Sequence, residues 1–241
     1  MSSSFRSGNP ALGSQTFNVS SGTSSTMTLE GSVNKTGIGL FLLMLSAYFT
    51  WNNTMPGVMV FGAIGGFIVA LVTIFKKHWS PITVPIYAIL EGLFLGGISQ
   101  IFEKQFPGIV TQAIILTLGI LGALLIAYKS KLIKPTENFK LGVSAATGGI
   151  FLVYLINFIM GFFGSSIPMI HESGLMGIGF SIFVVIIASL NLVLDFDFIE
   201  QGAEQGAPKY MEWYGAFGLM VTLIWLYLEI LRLLAKLQSN R

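Results

Sequence analysis

Residues Thr36 to Phe75 read TGIGLFLLMLSAYFTWNNTMPGVMVFGAIGGFIVALVTIF and contain no Asp, Glu, Lys, Arg or His. A bilayer core about 30 Å thick takes roughly 20 apolar residues as helix, so this stretch has room for two spans. Thr50-Trp51-Asn52-Asn53-Thr54-Met55-Pro56-Gly57 divides it with turn formers and an interfacial Trp. The predicted helices are 37–51 and 57–75. Working outward, further apolar runs predict spans from about Pro81 to Phe102, which carries Glu91, Gly108 to Tyr128, Leu141 to Phe163, Gly174 to Leu194, and Trp213 to Leu234, with Glu229 and Arg232 in its last turns. The expected fold class is therefore all-α, a polytopic membrane protein with seven transmembrane helices, of which the first is the shortest.

Composition leads to the same class. Of 241 residues, 53% are hydrophobic and 10% charged, whereas soluble domains carry about 25% charged residues. A water-facing surface built from so few charges would leave large apolar patches. That argues against a soluble globular enzyme and names the lipid bilayer as a partner. The net charge of +2 is too small to point to nucleic acid, and the absence of cysteine excludes disulfides, thiolate nucleophiles and cysteine metal sites. Residues 1–32 are rich in Ser, Gly, Thr and Asn and read as a flexible tail, leaving 33–241 as the transmembrane domain. No basic start followed at once by an apolar run marks a signal peptide, so the first hydrophobic segment is expected to be a retained span.

Lys and Arg in short loops resist translocation and so set orientation. The side of the N-terminus holds Arg6, Lys35, Lys76, Lys77, Lys129, Lys131, Lys134, Lys140 and Lys209, nine in all. The other side holds Lys104, Arg232, Lys236 and Arg241, which makes four. This bias puts the N-terminus in the cytoplasm of a cell (inner) membrane protein and, with seven spans, the C-terminus outside. A six-span or re-entrant arrangement with both ends inside is the alternative. The small-xxx-small spacings Gly62 to Gly66 and Gly92 to Gly96 read as close helix packing within the chain, with dimerisation as the second reading. The expected state is a monomer or weak homo-oligomer.

Acidic groups within spans cost about 2.5 to 3.5 kcal/mol each at mid-bilayer, so they face a partner, a cavity or a pathway. Glu91 lies near the middle of the third span, and its bland reading is a hydrogen bond to Asn157 or Asn191. After 22 uncharged residues, Ser173 to Leu194, the sixth span closes on Asp195-Phe196-Asp197-Phe198-Ile199-Glu200 and continues to Glu204. This is expected to form an acidic cytoplasmic rim that is either a solvated loop or a cation attractor, with Asp195 and Asp197 as candidate oxygen ligands for a hard cation. The spacing does not match an EF-hand. In the last span Glu229 and Arg232 share a helix face, and an ion pair with a snorkelling Arg explains them without further function.

The block from Asp195 to Leu234 resembles the last two helices of the Bax inhibitor family of seven-span membrane proteins. It has an acidic motif closing one span, a short polar hairpin, then Leu226-Tyr227-Leu228-Glu229-Ile230 within the next. The polar start Ser7-Gly8-Asn9-Pro10-Ala11-Leu12 is similar to that of the bacterial branch. The resemblance implies six helices around a central C-terminal helix. It also implies a pair of acids, one from each of the last two spans, that shares a proton and gates a calcium leak. The matching positions are Asp195 and Glu229, where Glu stands in place of the Asp of many relatives. Two carboxyls in contact do not readily both ionise, which makes such a pair a pH sensor. If the hairpin centres near Gln205, a residue level with Asp195 falls at about 215. Glu229 then lies about 20 Å further along the helix, and Glu212 is nearer that level. Glu229 by motif, and Glu212 or Asp197 by geometry, all stand as partners for Asp195.

The function expected is a pH-sensitive cation (calcium) leak, with calcium as the transported ion and no cofactor. The alternative is a non-conducting protein that binds and modulates a membrane quality-control protease or stress pathway. Enzyme readings fare worse. Ser165 and Ser166 lie in a loop without a nucleophile elbow, although His171 is near. Asp195 lacks the Gly-x-Gly-Asp context and second Asp of an intramembrane aspartyl protease. His78 and His171 fall on separate loops, which disfavours zinc, and Lys236 sits too near the end of the last span to hold retinal.

Overall fold

The computed structural model describes residues 26–53, 55–165 and 167–240, with the side chains of Met169 and His171 excepted. Among these residues there is no strand. The helices are α1 (Leu29–Asn52), α2 (Pro56–Phe75), α3 (Ser80–Gln105), α4 (Ile109–Lys129), α5 (Glu137–Gly161), the single turn α6 (Pro168–His171), α7 (Leu175–Glu204) and α8 (Met211–Ser239). The chain is thus an all-α polytopic membrane protein. Among the described residues seven helices are long, and all of these except α1 are long and apolar enough to cross a bilayer. The exception is the helix whose apolar run was shortest. It has 24 residues, but Glu30 and Lys35 occupy its first turns.

Local chemistry sets the boundaries. Thr28 caps α1 by accepting from the Gly31 amide at 3.0 Å, so this helix starts well before the expected position 37. The end of the segment read as a tail is therefore helical, while residues 1–25 of that segment lie outside the described residues. Pro56 opens α2 at a position where a missing N–H costs nothing. Thr136 caps α5. Gly206, at φ +66°, ends α7 with Ala207 N donating to Gly202 O and Gly206 N to Ala203 O, the left-handed stop that favours glycine.

The largest departure from expectation is α7. It does not end at Leu194 but runs unbroken to Glu204, taking in the single Gly202, because no proline interrupts the chain and the left-handed stop comes only at Gly206. The acidic motif is consequently helical and not a loop, with Asp195 enclosed, Asp197 and Glu200 half-buried and Glu204 exposed.

The chain divides into two compact units. In one, comprising 26–105 and 197–221 of the described residues, α1 and α2 pack on α3. A Cβ on Gly62 would lie 2.6 Å from the Leu90 carbonyl oxygen, and one on Gly92 or Gly96 would overlap the α1 backbone at Leu43 and Ala47. The small residues therefore serve packing within the chain. In the other unit, comprising 106–196 and 222–240, the first part of α7 and the end of α8 are joined with α4 and α5. The two C-terminal helices are the most enclosed: 61% of the apolar window of α8 and 50% of that of α7 are buried, against 11% for α5. The remaining spans turn residues such as Phe41, Phe67, Ile126 and Phe158 outward, as lipid contact requires.

Candidate functional site: buried carboxylates of the last two helices

Asp195 has no exposed surface. About five and a half turns of uncharged α7 precede it, and Asn191 lies one turn before it on the same face. Asn191 is also fully enclosed. Its amide donates to Thr147 Oγ1 at 2.8 Å and to the Ile187 carbonyl, while its Oδ1 has no hydrogen-bond partner among the described residues. Asp197, two positions beyond Asp195, points to a different side of the helix, where it is half-buried and accepts from Gln201 Nε2. The two aspartates are therefore not a convergent ligand pair. Among the described residues no group of three or more His, Asp or Glu side chains is placed to hold a metal ion.

Glu229 lies in the same unit as Asp195 and is 2% exposed. Its Oε1 accepts from Arg232 Nη1 at 2.7 Å and from the Tyr154 hydroxyl at 2.8 Å, and Arg232 Nη1 also donates to that hydroxyl oxygen at 2.7 Å. The guanidinium sits over the Tyr154 ring, 5.2 Å from its centroid. Glu229 Oε2 is buried and has no hydrogen-bond partner among the described residues. The ion pair expected from the three-residue spacing is present, and Tyr154 of α5 completes a triad. One turn further along α8, the buried Lys236 donates to Ser181 Oγ and the Gly177 carbonyl of α7, both at 2.9 Å.

Glu212, proposed by geometry as a partner of Asp195, has its own partners in the other unit. It is fully buried, and its Oε1 accepts from Thr28 N, Thr28 Oγ1 and Lys209 Nζ at 2.7 to 2.9 Å, while Oε2 accepts from Lys35 Nζ. This segment is held further by Met27 N donating to Ala207 O at 2.7 Å. Glu91 packs against α2, with its Oε1 2.7 Å from where a Gly66 Cβ would stand. Its suggested partners Asn157 and Asn191 are engaged elsewhere, Asn157 accepting from the Ile167 amide.

The family described as Bax inhibitor 1 like matches residues 9–239. The chain belongs to this family. No curated protein matches it. In this member of the Bax inhibitor 1 like family, the residues missed from sequence are Tyr154, Thr147 and Lys236 around the acids of one unit, and Thr28, Lys35 and Lys209 around Glu212. Tyr154 was discoverable in principle, because a phenol within an apolar span needs a partner for its hydroxyl. The partner's identity depends on a contact between residues 75 positions apart.

Proposed function

We propose that this protein is a pH-sensitive cation leak, with calcium as the ion transported and Asp195 and Glu229 as the groups that sense protons and meet the ion. The observation that carries the reading is Glu229: a buried carboxylate within a span, one oxygen tied to Tyr154 and Arg232, the other without a hydrogen-bond partner among the described residues. Membership of the Bax inhibitor 1 like family adds to it, as does a second enclosed carboxyl, Asp195, in the same unit. Arg232 neutralises Glu229 in this state, so a cation gains the full attraction of the carboxylate only when the guanidinium withdraws. At 37% side-chain exposure it has room to do so. Oxygen ligands suit a hard cation, and a cation needs the ionised form, so the leak should rise with pH. The bias of Lys and Arg supports an N-terminus in the cytoplasm of the cell (inner) membrane and a C-terminus outside. Calcium is cargo here rather than cofactor, and the protein is not an enzyme.

The test is calcium flux into liposomes carrying the full chain, measured across a pH series. Asp195→Asn and Glu229→Gln should each flatten the pH dependence. A flux no greater than that of empty liposomes at every pH would sink this reading and favour the non-conducting alternative, in which the protein copurifies with a membrane protease.

A further inference from the structure

Polar and apolar side chains alternate in bands along the helices of the unit that holds Asp195 and Glu229. The buried stripe of α5 carries Ser144, Thr147, Ile150 and Tyr154, at the three- and four-residue steps that keep side chains on one face. That of α7 carries Ser181, Val184, Ile187 and Asn191 and continues to Asp195, while α8 supplies Trp225, Glu229, Arg232 and Lys236. Contacts tie these residues into two polar bands. In one, Tyr154, Glu229 and Arg232 form the triad, and Lys236 reaches Ser181. In the other, Asn191 bonds Thr147, with Asp195 one turn away.

Between the bands Ile150, Val184 and Ile187 form a cluster 0 to 8% exposed, flanked by Phe180, Trp225 and the ring of Tyr154. From Thr147 to Tyr154 on α5 this layer spans about 10 Å at 1.5 Å per residue. The buried polar atoms without a hydrogen-bond partner among the described residues fall on both sides of it: Glu229 Oε2 on one side, Asn191 Oδ1 and Ser144 Oγ on the other. A polar atom enclosed without a partner is costly unless water or an ion meets it. A dry apolar layer between two such groups blocks an ion, which would have to shed its hydration to cross.

We propose that Ile150, Val184 and Ile187 form the closed gate of the pathway, a hydrophobic layer that conducts only when the helices part enough to wet it. This inference rests on the leak reading above and specifies where that leak is shut. The carboxylates then act as sensors flanking the barrier and are not the barrier itself.

The experiment uses the full chain in liposomes with a calcium dye, at a pH where the wild type leaks least. Val184→Asn and Ile150→Thr should raise flux at least tenfold there and flatten the pH profile. Because the chain has no cysteine, Val184→Cys offers a near-isosteric second probe. The reacting species is the thiolate, which itself grows with pH, so the rate is read relative to Ser130→Cys at the exposed end of α4. On that scale a charged thiol reagent should modify Val184→Cys faster at the pH of high flux, and modification should then hold the leak open. If Val184→Asn and Ile150→Thr keep their unfolding midpoints and leave flux unchanged while Asp195→Asn still alters it, the gate is elsewhere and the leak reading stands. A reaction rate that, relative to the exposed cysteine, is independent of pH also overturns the gate. If the wild type and every variant give no flux above empty liposomes, the leak reading itself fails and the gate falls with it.

Discussion

Two carboxylates on α8 are buried to nearly the same degree, and their surroundings are opposite. Glu212 is saturated: four hydrogen bonds from Thr28, Lys35 and Lys209 use both of its oxygens. Glu229 is half-satisfied, with Tyr154 and Arg232 converging on one oxygen and no hydrogen-bond partner among the described residues for the other. A saturated buried acid is a structural tie, since any change in its charge strands its partners. One whose second oxygen has no hydrogen-bond partner among the described residues can gain a proton there without first breaking its existing contacts. Burial alone therefore does not distinguish these two carboxylates; the state of the second oxygen separates them.

The largest effect that can break this contrast is on stability. In Glu212→Gln the carbonyl oxygen can still accept from Thr28, but the new amide N–H₂ would face a lysine ammonium, and two cations lose their counter-charge. Removing one partner of a buried ion pair costs about 3 to 5 kcal/mol. The lysines keep part of their surface in water, which places the loss near 3 kcal/mol. Glu229→Gln keeps an acceptor for Tyr154 and Arg232 and leaves a partly hydrated guanidinium, so it should cost only about 1 kcal/mol. Unfolding midpoints in detergent micelles check both values. Equal losses in the two variants would erase the distinction between tie and sensor.

The break between α1 and α2 and the spans that follow were legible in sequence because forty uncharged residues leave an apolar chain few choices and Pro56 acts locally, whereas the start of α1 at its Thr28 cap and the end of α7 at Gly206 were not. The identity of Glu229 and its pairing with Arg232 were legible for the same reason, as a three-residue spacing on one helix. In sequence the span reads as ending at Leu194 because charge marks the edge of a membrane segment, while helix continuity depends on backbone breakers, and the one glycine before Gly206, Gly202, is absorbed within α7. Glu212 could not be settled in advance. Its environment comes from Thr28 and Lys35, up to 184 positions away, and no local pattern announces a clamp of that range. Tyr154 and Thr147 escaped for the same cause.

A smaller effect sharpens the contrast from the side of the clamp. Gly31 sits where a Cβ would overlap the Glu212 carboxylate. Alanine in place of helical glycine normally stabilises by about 1 kcal/mol. Here the carboxylate is pinned by three residues and cannot step aside without losing bonds, so overpacking of about 1 to 3 kcal/mol opposes that gain. Gly31→Ala should therefore be destabilising overall, by about 1 kcal/mol, and the same substitution in Glu212→Gln should show a coupling of at least about 0.5 kcal/mol. A stabilised Gly31→Ala would mean that Glu212 is freer than a saturated tie allows.

The smallest effect separates the two lysines of the clamp. Lys209 pairs with Glu212 across three residues and its side chain is 44% exposed; Lys35 reaches Glu212 from α1 at 20% exposure and also lies 5.9 Å from the centroid of the Trp213 ring. An exposed pair at this spacing is worth about 0.5 kcal/mol or less, because water screens it and the side chain regains freedom when released. A more enclosed, charge-assisted bond that closes a long loop is worth about 1.5 kcal/mol. Lys209→Met should therefore barely move the unfolding midpoint, while Lys35→Met lowers it measurably. Neither should alter the pH profile of calcium flux, because neither residue contacts Glu229. A change in that profile from Lys35→Met would show that the saturated acid and the half-satisfied one act together, and the division between tie and sensor would then have to be abandoned.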